Sequence, residues 1–191
     1  VDAAQDPEFA VFRRLAEGAG LLQVQVEASQ EEGQVAVRVA TTNHRAAHPF
    51  PIGPFDLQET WLRVRLLDAS GAVLASIGEL EGLRVDPQAP RLGARELDAQ
   101  GLPLQRHRLH ELARIEDKRL VWPGQTLNDE VRLVLPEEVT GALRVEAEWL
   151  FRRVNPDFAR FAFEDPEAVQ RFGVHPVGGS TVPVVSAPSG D

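Results

Sequence analysis

Residues 41–74 read TTNHRAAHPFPIGPFDLQETWLRVRLLDASGAVL, and this stretch decides how the chain folds. Its first half contains Pro49, Pro51 and Pro54. Each proline fixes φ and removes a backbone N–H donor, so this half cannot form a helix or an inner strand. We expect it to be a stiff, extended crossing that holds its side chains in fixed places.

The second half of the stretch predicts a β-hairpin. Leu62, Val64 and Leu66 alternate with more polar neighbours, which is the period of a strand with one buried face. Residues 68–71 then supply the turn formers Asp, Ser and Gly before a second apolar run.

The same period of two recurs along the chain and predicts the fold class. It appears in residues 22–29, 35–42, 128–136 and 142–153, and the first two of these segments form a predicted antiparallel pair. About seven short strands with hairpin turns and long corner loops predict an all-β, Ig-like, Greek-key antiparallel β-sandwich.

Short helical caps are predicted at both ends of the sandwich. Residues 6–17 and residues 155–173 have helical spacing and capping residues. We therefore divide the chain into an N-terminal helix and linker at 1–20, a β-sandwich at 21–155, and a helical cap with an extended tail at 156–191. In that tail, only TVPVVSA at 181–187 has the pattern of a strand.

Two segments have weaker patterns. Residues 79–105 contain several glycines and prolines without a sustained period, which predicts a long excursion away from the sheet. Residues 106–115, RHRLHELARI, fit a strand or a short helix, and the strand-like residues that follow favour the strand.

Composition excludes several classes of function. The formal net charge of −9 over 191 residues argues against nucleic acid as a partner, since phosphate binding needs clustered basic side chains. No apolar run approaches the ~20 residues that span a bilayer. The start at Val1 without an initiator Met suggests a mature or excised fragment.

The absence of cysteine limits the cofactors that the chain can bind. Without Cys there is no disulfide, no Cys-ligated zinc or iron–sulfur cluster, and no covalently attached c-type haem. The candidate ligands are two histidine pairs, His44 with His48 and His107 with His110. These four would suit Zn²⁺ or Cu²⁺, or one could be an axial ligand to a haem iron. Hydrogen-bonded structural histidines are the alternative.

Catalytic residues are not indicated. Ser76 and Ser186 lack a nucleophile motif, so we do not expect an enzyme. A hydrolase that uses scattered carboxylates is the weakest hypothesis. The carboxylates in question are expected instead to cap turns or lie at the surface, and they are Asp56, Glu59, Asp117 and Asp129. Three tryptophans suit either a carbohydrate platform or, as we prefer, the core: Trp61, Trp122 and Trp149.

Several short motifs together resemble a known module. The chain resembles the cysteine-free β-sandwich module found C-terminal to the haem-binding part of multihaem c-type cytochromes. In that module an asparagine and a Gly-His pair precede a Phe-Pro-x-Gly turn, and Ala47 replaces that glycine here. The matching residues are Asn43, His48, Phe50, Pro51 and Gly53, then Asp68, Ala69 and Gly71, then Asp117, Arg119, Leu120, Pro123 and Gly124, and finally Leu150, Phe151 and Arg152.

The resemblance implies a partner and a location. It implies a periplasmic or extracellular, noncatalytic domain that supports a multihaem c-type cytochrome, as a segment of the same chain or a separate subunit. His48, and less directly His44, would then be the residues offered to a haem. The hypothesis from a different class is an extracytoplasmic module that binds a metal ion or a carbohydrate.

Overall fold

Two sheets, mostly antiparallel, pack face to face in the computed structural model, which describes residues 20–137, 139 and 141–186. The predicted N-terminal helix at 6–17 lies outside the described residues. The strands are β1 (Leu22–Glu31), β2 (Gln34–Asn43), β3 (Glu59–Leu67), β4 (Val73–Ile77), β5 (Leu80–Glu81), β6 (Arg84–Val85), β7 (Arg91–Leu97), β8 (Arg114–Arg119), β9 (Thr126–Val134), β10 (Arg144–Arg152), β11 (His175–Pro183) and β12 (Val185–Ser186).

The first sheet has the strand order β12-β1-β2-β9. β1 and β2 form the hairpin predicted from their alternation, with Leu22 opposite Asn43 at its open end. Gly33 makes the turn with a φ of 67°, a conformation that glycine adopts at little cost. β9 pairs with the other side of β2, which makes β2 an inner strand.

The second sheet has the order β11-β10-β3-β7-β8. β10 pairs with β3 along the whole of β3. The other side of β3 is shared, because β7 pairs near Thr60 and Trp61 while β4 pairs from Val64 to Leu67. The predicted hairpin of β3 and β4 is therefore confirmed.

The main core lies between the two sheets. The valines Val35, Val37 and Val39 of β2 belong to one buried cluster with Leu62 and Val64 of β3. These residues follow the period of two, so the alternation that predicts the strands also selects the buried faces.

A second, smaller cluster covers the outer face of β3. Trp61 is fully buried against Val85, Ala89 and Leu150, and its indole N–H donates to the carbonyl of Gly78 at 2.9 Å. The segment from β5 to β7 is what buries it. β3 is consequently apolar on both faces near Trp61.

One hydrogen bond crosses the main core. Nε1 of Trp149 on β10 donates to the hydroxyl of Thr41 on β2 at 2.7 Å, and both side chains are fully buried. It joins the inner strands of the two sheets in a dry interior, where an unpaired donor is costly.

Two expectations from the sequence are wrong. Residues 79–105 do not leave the sheet throughout, because β7 returns to pair with β3 and β8. Residues 106–115 are not mainly strand: a 3₁₀ helix occupies Leu109–Glu111, and β8 begins only at Arg114.

The predicted C-terminal helical region is confirmed. Helix α1 (Pro156–Phe163) starts at Asn155, whose side chain accepts the N–H of Phe158, and a 3₁₀ helix (Pro166–Phe172) follows and ends at Gly173. No helix among the described residues is long and apolar enough to cross a membrane.

Residues 175–186, here called the C-terminal strap, contribute more strand than the sequence predicted. β11 pairs antiparallel with β10 in one sheet, and β12 pairs parallel with β1 in the other. The strap therefore runs from the β10 edge of one sheet to the β1 edge of the other and connects the two sheets on that side.

Replacing Thr41 tests the hydrogen bond through the core. Thr41→Val keeps the shape but leaves the indole N–H of Trp149 unpaired, so we expect a loss of about 1–3 kcal/mol in the free energy of unfolding, measured with urea. Thr181→Val, at an exposed position of β11, is the control, with an expected change within about 0.5 kcal/mol. Equal losses in the two variants would contradict the assigned role.

Candidate functional site

The structure separates the two predicted histidine pairs and shows two candidate sites. The first is the histidine corner, defined as residues 43–50 with residues 121–125. Phe50 and Val121 exchange both backbone hydrogen bonds at 2.9 and 2.8 Å. Gly124 donates its N–H to the carbonyl of Asn43 at 3.0 Å. Residues 121–125 are thus hydrogen-bonded to both ends of the loop that follows β2.

Asn43 holds the corner together from inside. Its Nδ2 donates to the carbonyl of His48 at 2.8 Å and to that of Val121 at 3.0 Å, and its Oδ1 accepts the N–H of Ala46 at 3.0 Å. The side chain is only 2% exposed. Three satisfied bonds from one buried amide fix the loop that carries both histidines.

His48 and His44 are exposed on this corner. Nδ1 of His48 lies 2.9 Å from the carbonyl of Pro49. If Nδ1 donates this bond, Nε2 keeps its lone pair and can ligate a metal, which is the usual arrangement of a ligating histidine.

The tryptophans divide between core and surface. Trp61 and Trp149 are fully buried, as we expected. Trp122 is 52% exposed and follows Val121 in the corner, so the prediction that it lies in the core is wrong. Its neighbours in sequence are apolar, but the chain there runs along the surface of the corner.

His107 and His110 lie elsewhere, in the segment before β8. Both the backbone N–H of His107, at 2.8 Å, and its Nδ1, at 3.1 Å, contact the carboxylate of Asp56. His107 precedes the 3₁₀ helix and His110 lies within it, so a shared helical face does not form. Among the residues that the structure describes, no three His, Asp or Glu side chains are grouped so that they could hold a metal ion.

The second candidate site is a cleft of about 1070 Å³, here called the arginine cleft. Five structural elements meet around it: residues 51–60, β7, residues 103–106, β8 and the start of α1. Pro51 and Phe55 connect it to the histidine corner, because the proline crossing continues from one into the other. Its arginines are Arg91, Arg95, Arg106, Arg119 and Arg160.

Asp56 organises one end of this cleft. Its side chain is 4% exposed and binds His107, and its carbonyl accepts Nδ2 of Asn155 at 2.7 Å. Its backbone N–H donates to Glu96 at 3.2 Å. Asp56 therefore connects the segment of His107, the start of α1 at Asn155 and β7 at Glu96. The sequence predicted only that it caps a turn or lies at the surface.

Burial raises the pKa of Glu96 above its ordinary value of 4.5, and the negative charge of Asp56 raises it further. Glu96 is 8% exposed. A proton on Glu96 relieves repulsion between the two carboxyl groups.

The remaining carboxylates named from the sequence form ion pairs with arginine. Glu59 contacts Nε of Arg152 at 2.7 Å. Asp117 pairs with Arg95 at 2.9 Å, and Asp129 with Arg119 at 2.6 Å. These contacts give each carboxylate a structural partner, and Arg152 is only 2% exposed.

The comparison with solved structures shows a likeness in fold to one cytochrome. A penta-haem cytochrome c552 from Thermochromatium tepidum matches 90% of this chain with a TM-score of 0.62 and 18% identity. This chain spans 40% of the length of that cytochrome chain. A structure assigned to the ApaA protein of Bordetella pertussis covers 88% of this chain and 94% of its own, at 14% identity and a TM-score of 0.35.

No protein-family model and no curated protein matches the chain. At 18% identity the likeness to the cytochrome concerns the fold.

Removing the amide of Asn43 tests the rigidity of the histidine corner. Asn43→Ala leaves the carbonyl of His48 and the N–H of Ala46 without their side-chain partner, while the carbonyl of Val121 keeps its bond from Phe50. We expect a loss of about 2 kcal/mol or more in the free energy of unfolding. Trypsin should also cleave faster after Arg45, which is exposed in this loop. Asn128→Ala, at an exposed position of β9, is the control; equal cleavage rates in both variants would contradict the role of Asn43.

The protonation of Glu96 predicts a pH-dependent stability. A carboxyl group whose pKa is raised by folding stabilises the folded state below its unfolded pKa, and that contribution is lost as the pH rises through the folded pKa. Glu96→Gln should therefore match the native chain at pH 4 and be the more stable of the two at pH 7, measured by urea unfolding. Glu81→Gln, at an exposed site, should show no such divergence.

Proposed function

We propose that this chain is a noncatalytic, extracytoplasmic β-sandwich that supports a multihaem c-type cytochrome, with His48 as a ligand to a haem iron of that partner. The observation that carries the proposal is the exposed His48 on a loop fixed by the buried Asn43. A fixed loop lowers the entropy lost when an imidazole is held at an iron. The fold likeness to a penta-haem cytochrome supports this choice of partner.

The iron has to come from another polypeptide segment. The chain has no cysteine, so it cannot attach a c-type haem covalently. The exposed Trp122 adds apolar surface to the corner that carries His48, which suits contact with a large aromatic group.

The strand neighbours support assignment of the sandwich to the Greek-key, Ig-like class. β2 and β9 are neighbours in one sheet, and the strands that follow them across the sandwich, β3 and β10, are neighbours in the other. Connections that cross from one sheet to the other, as from β2 to β3 and from β9 to β10, are expected of a Greek-key sandwich.

The test of the ligand is spectroscopic. The tagged chain is purified from its own host together with any polypeptide that carries covalent haem, and its UV-visible spectrum is recorded for His48→Ala and His44→Ala. We expect changed Soret and α bands for His48→Ala and none for His110→Ala, an exposed histidine away from the corner. An unchanged spectrum for His48→Ala would overturn the ligand assignment, and absence of a haem-bearing partner would overturn the supporting role.

A carbohydrate-binding or metal-binding module is the second candidate. The half-exposed Trp122 favours the carbohydrate form, because sugars stack on exposed indoles, and the histidine corner favours the metal form. Elemental analysis separates the two: near one zinc or copper per chain indicates a metal module. Quenching of Trp122 fluorescence by oligosaccharides would indicate a carbohydrate module.

A further inference from the structure

The arginine cleft concentrates positive charge in an acidic protein. It is lined by five of the chain's 20 basic residues but by only four of its 29 acidic residues. The chain as a whole carries a formal charge of −9. Walls of low dielectric strengthen such a local field, so an anion is favoured in this cleft over other parts of the surface.

Ion pairing leaves part of this positive charge uncompensated. Glu59 is shared between Arg91, at 3.2 Å, and Arg152. Asp157 is shared in the same way between Arg84, at 3.4 Å, and Arg160, at 3.6 Å. Arg84 and Arg152 are outside the lining of the cleft, but each draws on a carboxylate that also faces a cleft arginine. Arg91 and Arg160 are therefore only partly compensated.

Arg106 is the arginine best placed to bind an anion. Within the described residues it forms no ion pair with a carboxylate, and its Cζ lies 5.1 Å from the centre of the Phe161 ring. Arg106 and His107 have φ values of 58° and 54°, which non-glycine residues seldom adopt. The bonds from Asp56 to His107 hold this strained turn, so Arg106 is kept at the cleft by the fold.

The walls of the cleft are partly apolar. Phe55, Leu92, Leu104, Phe158 and Phe161 line it among the charged groups. Leu92 and Leu104 are buried in the fold, whereas Phe161 is 48% exposed at the cleft. Apolar walls with a few convergent polar groups are typical of sites for small organic ligands, and a cleft of about 1070 Å³ has the size of such a site.

We propose that the arginine cleft binds a small organic carboxylate with an aromatic or alicyclic body, its carboxylate paired with Arg106. A guanidinium forms two parallel hydrogen bonds with a carboxylate, and the ring of the ligand packs on the partly exposed rings of Phe161 and Phe55. A single negative charge fits better than a double one, because Asp117 and Asp157 also line the cleft and repel a dianion. This binding function is independent of the role of His48.

The test uses 2-naphthoate as the probe and the full chain of 191 residues. Titration is followed by amide chemical shifts in ¹⁵N–¹H NMR spectra, and saturable shifts are expected in β7, residues 103–107 and α1. Neutral 2-naphthamide should bind at least about tenfold more weakly, since it lacks the charge that strengthens hydrogen bonds to arginine. 2-Naphthyl phosphate should also bind more weakly than 2-naphthoate.

Two variants and one control assign the site. Arg106→Gln should weaken 2-naphthoate binding about tenfold or more. Arg108→Gln removes a nearby arginine that pairs with Glu111 outside the cleft, and it should leave the affinity within about twofold. Arg160→Gln, on α1, should weaken binding by a smaller factor and serves if Arg106→Gln does not fold.

Three results would overturn the proposal. The first is no saturable binding of 2-naphthoate up to about 10 mM, the weak end of specific affinities. The second is equal affinity for the acid and the amide, which would indicate apolar adsorption only. The third is equal affinity in the native chain and in folded Arg106→Gln, or in Arg160→Gln if that variant replaces it.

Discussion

The hydrogen bond from Trp149 to Thr41 is the constraint on which the rest of the molecule depends. β10 is flanked by β3 and β11, and β2 by β1 and β9, so the bond joins an inner strand of each sheet. Hydrophobic packing alone tolerates sliding of one sheet on the other, but a directional bond in a dry interior does not. The relative position of the two sheets is therefore defined at one point of the core.

Both candidate sites follow from that position. Asn43 lies two residues beyond Thr41 on β2, on the same buried face, and from there it anchors the loop of His48. The proline crossing then leads from this loop to Asp56, which binds the segment of His107. The position of β2 in the core thus fixes the histidine corner, and the stiff proline crossing fixes the arginine cleft relative to that corner.

The sequence predicts the strands in which apolar and polar residues alternate, and this alternation is visible in β1, β2, β9, β10 and most of β3. It does not predict β7 or most of β11, because glycines interrupt the alternation in both strands. At Gly178 a Cβ would lie 2.3 Å from the carbonyl oxygen of Leu22, so close backbone contact selects glycine in place of a strand former. The bond between Asp56 and His107 joins residues 51 positions apart, and no local pattern reports such a contact.

The C-terminal strap has a consequence for biosynthesis. Until residues 175–186 leave the ribosome, β1 and β10 each present an unpaired edge, although the other strands of both sheets have already been made. Open edges of this kind pair readily with another copy or with a chaperone. β11 and β12 therefore cover two edges that stay open in the nascent chain until these strands are made, and a second molecule can cover the same edges by strand exchange.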